Sequence, residues 1–115
     1  MKVLVIIPAY NEEECIENTV NNLKKINSKV DYVVINDCSK DSTKDVCEKN
    51  KFNVINLPIN LGIGGAVQTG YKFAYENGYD VAIQMDADGQ HDPKYIDDMV
   101  KEIENGNDVV IGSRF

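Results

Sequence analysis

Two aspartates separated by one small residue follow an apolar run late in the chain. Asp86-Ala87-Asp88 comes directly after residues 81–85, a run typical of a buried strand. Carboxylates this close repel each other unless a cation lies between them. Oxygen ligands of this kind suit Mg²⁺ or Mn²⁺, which usually keep some waters and bind substrate phosphates. We therefore predict a divalent metal site formed by Asp86, Asp88 and the amide oxygen of Gln90, with a solvated acidic turn as the alternative.

Polar residues also follow the other apolar runs. Asp37 could accept a hydrogen bond from a nucleotide base or ribose, or could serve only in a turn. Arg114 could bind a diphosphate with its planar set of donors, or could simply be solvated. His91 is the only histidine of the chain, which excludes a Ser-His-Asp triad and a metal site built from several histidines.

The glycine-rich segment Asn60–Ala66 opens a predicted helix. It lacks the spacing of the dinucleotide fingerprint G-x-G-x-x-G and the Gly-Lys-Ser/Thr ending of a Walker A loop. We therefore predict that its glycines permit a tight loop and a close contact between helix and sheet, and do not cradle a phosphate.

Alternating strand and helix patterns position these residues. Five short apolar runs predict strands buried on both faces, at residues 3–7, 32–35, 54–57, 81–85 and 109–111. Helical patterns lie between them, at about 12–26, 42–51, 64–77 and 92–106. Asn11 with Glu14 predicts a capping box for the first helix, Asp41 caps the second, and Gly78 ends the third.

This alternation predicts an α/β fold, a parallel sheet with helices on both faces. In such sheets ligands bind beyond the carboxyl ends of the strands. The segments that follow the strands are Pro8–Glu12, Asn36–Ser39, Pro58–Gly62, Asp86–His91 and Gly112–Arg114. We expect them to share one rim, which is the predicted site.

Composition narrows the class of protein. The chain has 115 residues, 43% of them hydrophobic, enough for one domain with a core. Its net charge of −7 disfavours binding to nucleic acid. It contains neither an apolar run long enough to span a membrane nor a signal-peptide pattern. Three cysteines without a C-x-x-C spacing argue against a disulfide framework or a zinc ribbon, so we expect a cytoplasmic protein.

Five segments in this order resemble the N-terminal half of family 2 glycosyltransferases of the GT-A fold. They are IIPAYNEEECI, VVINDCSKDST, NLGIGGAVQTGYKFA, DADGQHDP and IGSRF. The chain is most similar to the dolichyl- or polyprenyl-phosphate mannosyl- and glucosyltransferases, over essentially its whole length. The resemblance implies a GT-A, Rossmann-like parallel sheet, truncated after the fifth strand. Residues 1–115 would form the half of the domain that binds the nucleotide-sugar.

The resemblance also implies roles for single residues. Asp88 would meet the metal and serve in catalysis, Asp86 would lie near ribose and phosphate, and Gln90 would join the metal shell. Arg114 would approach the donor diphosphate. The implied nucleotide-sugar-binding residues are Pro8, Ala9, Tyr10, Glu12, Ile35, Asp37, Asp86, Ala87, Asp88 and Arg114.

This sequence departs from the family pattern in three ways. Asn36 stands where many members have an aspartate, which predicts a weaker contact. Cys38 replaces a glycine, which argues against a left-handed backbone there. Family members also continue well beyond the G-[ST]-R segment, and that part supplies much of the acceptor site and, in many members, the catalytic base. We therefore expect that the chain is inactive alone and forms homo-oligomers through apolar surface that the missing half would cover.

The implied activity is metal-dependent, inverting transfer of a sugar from a GDP- or UDP-sugar to a lipid phosphate or a glycan, at the inner face of the membrane. Three alternatives remain. The chain could bind a nucleotide without catalysis. A phosphoacceptor receiver domain has a similar length but needs acidic residues after its first strand, where Pro8-Ala9-Tyr10 stands. A nucleotidyltransferase would need a G-x-G-T-R-like loop there.

Overall fold

The computed structural model of the protein describes residues 2–26, 30–87, 98, 101 and 112–114. Five strands form one sheet: β1 (Val3–Ala9), β2 (Asp31–Asn36), β3 (Val54–Asn56), β4 (Val81–Gln84) and β5 (Gly112–Arg114). Their order across the sheet is β3-β2-β1-β4-β5. The first four are parallel, and β5 runs antiparallel to β4.

Helices cover both faces of this sheet. They are α1 (Ile16–Ile26), α2 (Thr43–Lys49) and α3 (Gly62–Glu76). Successive side chains of a strand point to opposite faces. Val5 and Ile7 of β1 therefore join one buried cluster with α1 and α2, whereas Leu4 and Ile6 join a second cluster with α3. The predicted α/β fold, a parallel sheet with helices on both faces, is confirmed.

Helix α3 lies very close to the sheet at Gly70. A Cβ atom on Gly70 would collide with Ile6 Cγ2 and would come within 2.9 Å of Ile6 Cδ1. The close helix–sheet contact that was expected of the segment Asn60–Ala66 therefore falls later in the same helix. Gly78, with φ of +75°, follows the last turn of α3 as predicted.

The start of α1 differs from the prediction. The helix begins at Ile16, and residues 13–15 form a turn. Asn11 has φ of +56°, and its Oδ1 atom accepts a hydrogen bond from the backbone N of Lys40 at 2.9 Å. The predicted capping box is therefore wrong, because the Asn11 side chain holds a neighbouring loop and does not cap the helix.

The last strand also differs from the prediction. Gly112–Arg114, expected to follow a strand, forms β5 itself. The predicted strand 109–111 lies outside the described residues. Of the predicted fourth helix the structure describes Asp98 and Lys101, which are helical and exposed. No helix among the described residues is long and apolar enough to cross a membrane.

Candidate functional site

A cleft of about 300 Å³ opens at the carboxyl ends of β1, β2 and β4. The chain passes from β1 to β2 and β3 on one side, then returns to form β4 on the other side of β1. The strand order therefore reverses between β1 and β4, where open α/β sheets bind their ligands. The cleft is lined by Pro8, Ala9, Tyr10, Glu12, Asp37, Ile63, Ala66, Asp86 and Ala87.

Seven of these lining residues belong to the predicted nucleotide-sugar-binding set: Pro8, Ala9, Tyr10, Glu12, Asp37, Asp86 and Ala87. They come from the end of β1 and from the loops that follow β1, β2 and β4. The sheet therefore gathers distant segments around one cleft, as expected from the strand pattern. Their individual binding roles remain predictions.

Two other predicted residues do not line the cleft, Ile35 and Arg114. The Ile35 side chain is fully buried in the cluster beneath α3. Arg114 pairs with Val81 at the amino end of β4, whereas Asp86 follows the carboxyl end of that strand. The expectation that Arg114 follows the last strand at the common rim is therefore wrong. Asp88 and Gln90 lie outside the described residues, and their metal roles remain predictions.

The loop after β1 is held by hydrogen bonds to the loop after β2. The backbone N of Asn11 donates to Ser39 Oγ at 3.0 Å, and Asn11 Oδ1 accepts from Lys40 N. The backbone N of Glu12 donates to Thr43 Oγ1 at 2.9 Å. Thr43 is fully buried at the start of α2, so this partly buried bond ties the loop to a fixed point of that helix. The polar residues of the second loop thereby position Tyr10 and Glu12.

Asp41 strengthens the same connection. Its Oδ1 atom accepts hydrogen bonds from Thr43 N at 2.9 Å and from Thr43 Oγ1, and its Oδ2 atom accepts from Glu13 N at 3.2 Å. Partial burial works to raise the pKa of Asp41, but these hydrogen bonds outweigh it and hold the pKa below its usual value. The ionised carboxylate is therefore the form that the folded protein stabilises.

Asp37 links three loops around the cleft. Its buried carboxylate accepts a hydrogen bond from Leu61 N at 2.7 Å, just before α3. Its backbone N donates to Ala9 O at 2.9 Å, and its backbone O accepts from Asn60 Nδ2 at 3.1 Å. A carboxylate at a helix N-terminus is electrostatically favourable. Asp37 therefore has a structural role in these loops, which was one of the two alternatives for this residue. Its side chain also lines the cleft.

The glycine-rich loop does not offer its first N–H groups to a ligand. Leu61 N donates to Asp37, and Gly62 N donates to Asn60 Oδ1 at 3.2 Å. Gly62 has φ of +79°, which the tight turn into α3 requires. This geometry agrees with the predicted tight loop.

The two departures in the loop after β2 both have a structural account. Asn36 is buried, its Nδ2 atom donates to Asn56 Oδ1 at 2.9 Å, and its Oδ1 atom accepts from Ser39 Oγ at 2.6 Å. The amide therefore joins neighbouring loops. Cys38 has φ of +58°, so the backbone is left-handed despite the missing glycine, and the doubt drawn from the sequence was wrong.

Ile63 and Ala66 line the cleft although the sequence did not single them out. Both are apolar, and a search for chemically reactive groups passes over such residues. The available signal was their spacing of three residues at the start of α3, which places them on one side of the helix. They give the acidic cleft one apolar wall.

The acidic residues of the cleft suit a divalent cation without completing a site. Glu12, Asp37 and Asp86 reach the cleft from three loops. Within the described parts of the chain, no three His, Cys, Asp or Glu side chains group closely enough to hold a metal ion. A site here needs further oxygens, such as those of Asp88 and of a substrate phosphate.

Solved structures define the class of fold. The glucosyl-3-phosphoglycerate synthase of Mycobacterium tuberculosis, crystallised with Mn²⁺ and UDP-glucose, matches with a TM-score of 0.73 and 21% identity. The match covers 91% of this chain and 40% of that one. At this identity the similarity concerns the fold alone, which is the GT-A fold.

The family follows from the sequence. The family model for glycosyl transferase family 2 matches residues 4–115, and the chain belongs to this family.

Two curated relatives match along nearly the whole chain. The undecaprenyl-phosphate mannosyltransferase of Micrococcus luteus is 37% identical, over 99% of this chain and 49% of the relative. The UDP-N-acetylglucosamine–dolichyl-phosphate N-acetylglucosaminyltransferase of Methanococcus voltae is 41% identical, over 97% of this chain and 51% of the relative. The chain therefore spans about half the length of the curated relatives it matches.

The receiver-domain alternative does not fit the topology. Receiver domains have the strand order 2-1-3-4-5, in which the third strand lies beside the first. Here β3 is the edge strand beyond β2, and β4 lies beside β1. The family match and the strand order both exclude this alternative.

Proposed function

We propose that residues 1–115 form the part of a family 2 glycosyltransferase that binds a nucleotide-sugar donor and a divalent metal. The intact enzyme transfers the sugar, with inversion, to an acceptor such as a polyprenyl phosphate. The observation that carries this proposal is the cleft at the switch point of the sheet. There the end of β1 and the loops after β1, β2 and β4 bring together seven residues of the predicted donor site.

The two relatives support the choice of substrates. Both are named for transfer to a polyprenyl or dolichyl phosphate, and one is named for a UDP-sugar. An acceptor of this type is membrane-bound, so we place the enzyme at the cytoplasmic face of a membrane. Its phosphate oxygen is already anionic and needs little help from a general base.

Different residues of the cleft would bind different parts of the nucleotide-sugar. Pro8, Ala9 and Tyr10 would contact the base and ribose, and Ile63 and Ala66 would add apolar surface to the same cleft. Asp37 presents a carboxylate that the bond from Leu61 N already holds in place, so little reorganisation is needed to accept a hydrogen bond from the donor.

Asp86 and Asp88 would hold the metal, with Gln90 as a further oxygen ligand. A bound Mg²⁺ or Mn²⁺ supplies charge that stabilises the diphosphate leaving group. In a chain of net charge −7, an anionic donor needs such local compensation. The acidic loop after β4 therefore fits a metal-dependent donor site.

Calorimetric titration tests this function. We expect the chain to bind UDP or GDP, or one of their sugars, with Mn²⁺ present and much more weakly in EDTA. Asp86→Asn and Asp88→Asn should each weaken the metal-dependent binding by about ten-fold or more, the scale on which changed metal surroundings act.

Asp45→Asn is the matched control. Asp45 is exposed on α2 and does not line the cleft, so this variant loses the same charge without touching the site. Nucleotide binding that is equal in EDTA, or that survives both cleft substitutions, contradicts the proposed function.

A further inference from the structure

Thr19 connects α1 to the acidic loop after β4. Its Oγ1 atom donates a hydrogen bond of 2.8 Å to the backbone O of Ala87, 68 residues later in the chain. Both residues are buried. Asp86 and Ala87 both line the cleft, whereas Thr19 does not. The hydrogen bond therefore connects a residue outside the cleft to the backbone of one that lines it.

This bond is not the usual one for a threonine in a helix. Such hydroxyls often donate to the carbonyl four residues earlier, as Thr69 in α3 does to Gly65 O at 2.9 Å. Thr19 instead donates to a distant loop. A buried carbonyl that loses its donor is costly, so the loop gains a defined position from this contact.

The contact lies where the sheet stops holding the chain. Met85 N donates to Ile6 O at 2.9 Å, which is a sheet-like bond just beyond β4. Two residues later, Ala87 O is held by α1. The helix is a firm support, because Ile16, Val20 and Leu23 anchor it in the core. Asp86 is therefore fixed from both sides, by the sheet and by Thr19.

We propose that Thr19 is a positioning residue that orients the Asp86-Ala87 turn for metal-dependent binding of the nucleotide donor. The proposal rests on the proposed function, but its structural part is independent of it. Removing a residue that hydrogen-bonds to the surroundings of a metal ligand typically lowers metal affinity by about 10- to 100-fold.

The test compares variants of the full chain. Thr19→Val removes the hydroxyl at nearly constant volume. Thr19→Ala removes the hydroxyl together with the methyl group, and Thr19→Ser retains the hydroxyl. Thr69→Val is the matched control, because it removes a threonine bond that stays within one helix. Amide hydrogen exchange at residues 85–87 is measured without ligand, and binding of UDP and of GDP is measured with Mn²⁺ and with EDTA.

We expect Thr19→Val and Thr19→Ala to speed exchange at residues 85–87 by about ten-fold, whereas Thr19→Ser and Thr69→Val leave it close to wild type. The Mn²⁺-dependent affinity for the nucleotide that the wild-type chain binds, UDP or GDP, should fall by about ten-fold in Thr19→Val and Thr19→Ala alone. Unchanged exchange or unchanged affinity in the hydroxyl-free variants overturns the positioning role. If the wild-type chain binds no nucleotide while exchange at residues 85–87 still speeds up in the hydroxyl-free variants, the proposed function is contradicted. The role of Thr19 in holding the turn is then still supported.

Discussion

Cys38 shows how a single residue carries strain beside the cleft. Its φ of +58° lies in the left-handed region, which costs a residue with a side chain about 1–2 kcal/mol. Its thiol lies 3.7 Å from Pro58 O, which is a weak contact. The strained turn leads the chain from Asp37, which lines the cleft, toward Ser39, which holds the loop after β1.

Replacing Cys38 by glycine should therefore stabilise the protein. Relief of the strain is partly offset by the extra backbone entropy of glycine, so we expect a gain of about 0.5 kcal/mol in the free energy of unfolding. Urea denaturation measures it. Cys38→Val, which puts a β-branched residue at a positive φ, should destabilise instead, and equal stability of the two variants would contradict this account.

Position 70 requires glycine because there is no space for a side chain, and not because of its backbone conformation. Gly70→Ala should destabilise the fold by about 1–3 kcal/mol, because its Cβ collides with Ile6 and must push α3 off the sheet. Gly64→Ala is the control within the same helix. No atom outside the helix lies within 4 Å of its added Cβ, so it should stabilise the protein by about 0.5–1 kcal/mol. Thermal melts of both variants check the opposite signs.

At the scale of elements, the loop after β1 depends on the start of α2. Asp41 and Thr43 together bind the backbone N–H groups of Glu12 and Glu13, and neither Asp41 nor Thr43 lines the cleft. The position of the loop after β1, which lines the proposed donor site, is thus set by residues that do not line that site. Sequence patterns located both loops, but they could not show that the two loops bond to each other.

The lowered pKa of Asp41 predicts the pH dependence of this connection. A lowered pKa stabilises the fold above the unfolded pKa, near 4, and this contribution is lost as pH falls through the still lower folded value. We expect Asp41→Asn to be less stable than wild type at pH 6, with the difference shrinking below about pH 4. Melting temperatures from pH 6 downward measure it, with Asp45→Asn as the exposed control. A difference independent of pH would contradict the role of the charge.

At the scale of the whole molecule, the alternation of apolar runs and helical patterns was enough to predict the α/β fold. The parallel strands β1, β2 and β4 were located because both of their faces are largely buried, so each appears in the sequence as a short apolar run. The edge strand β3 is only partly buried, but Val54, Ile55 and Leu57 still marked its position. The prediction failed where local signals compete with distant partners. Asn11 had the residue type of a helix cap, but Lys40 supplies its partner.

The last strand shows the same limit. Gly112–Arg114 carries no apolar run, and its direction depends on pairing with β4, which periodicity cannot reveal. Among candidate site residues, acidic and polar ones were found from their position after strands. Ile63 and Ala66 were missed because an apolar wall has no chemical signature in the sequence.

An exposed apolar segment supports the expected self-association. Ile59, Leu61 and Ile63 are 61%, 47% and 64% exposed, on the stretch that leads into α3. We expect the chain to form oligomers through this segment, because clustered apolar surface gains by being covered. Sedimentation over a range of concentrations measures it.

The double variant Ile59→Ser, Leu61→Ser, at two exposed residues that do not line the cleft, should shift the chain toward the monomer. Tyr75→Ser is the control, since Tyr75 is 73% exposed near the other end of α3. A wild-type chain that stays monomeric at high concentration, or oligomers that survive the double variant, would contradict this role of the segment.

The order of the strands also has a consequence for how the protein is made. Within this sheet β1 is synthesised before the other strands, yet it lies between β2 and β4, and β4 begins only at Val81. One hydrogen-bonding edge of β1 therefore has no partner until β4 has been synthesised. An apolar strand with an open edge is a target for aggregation. The nascent chain should therefore depend on a chaperone or on rapid translation until β4 emerges.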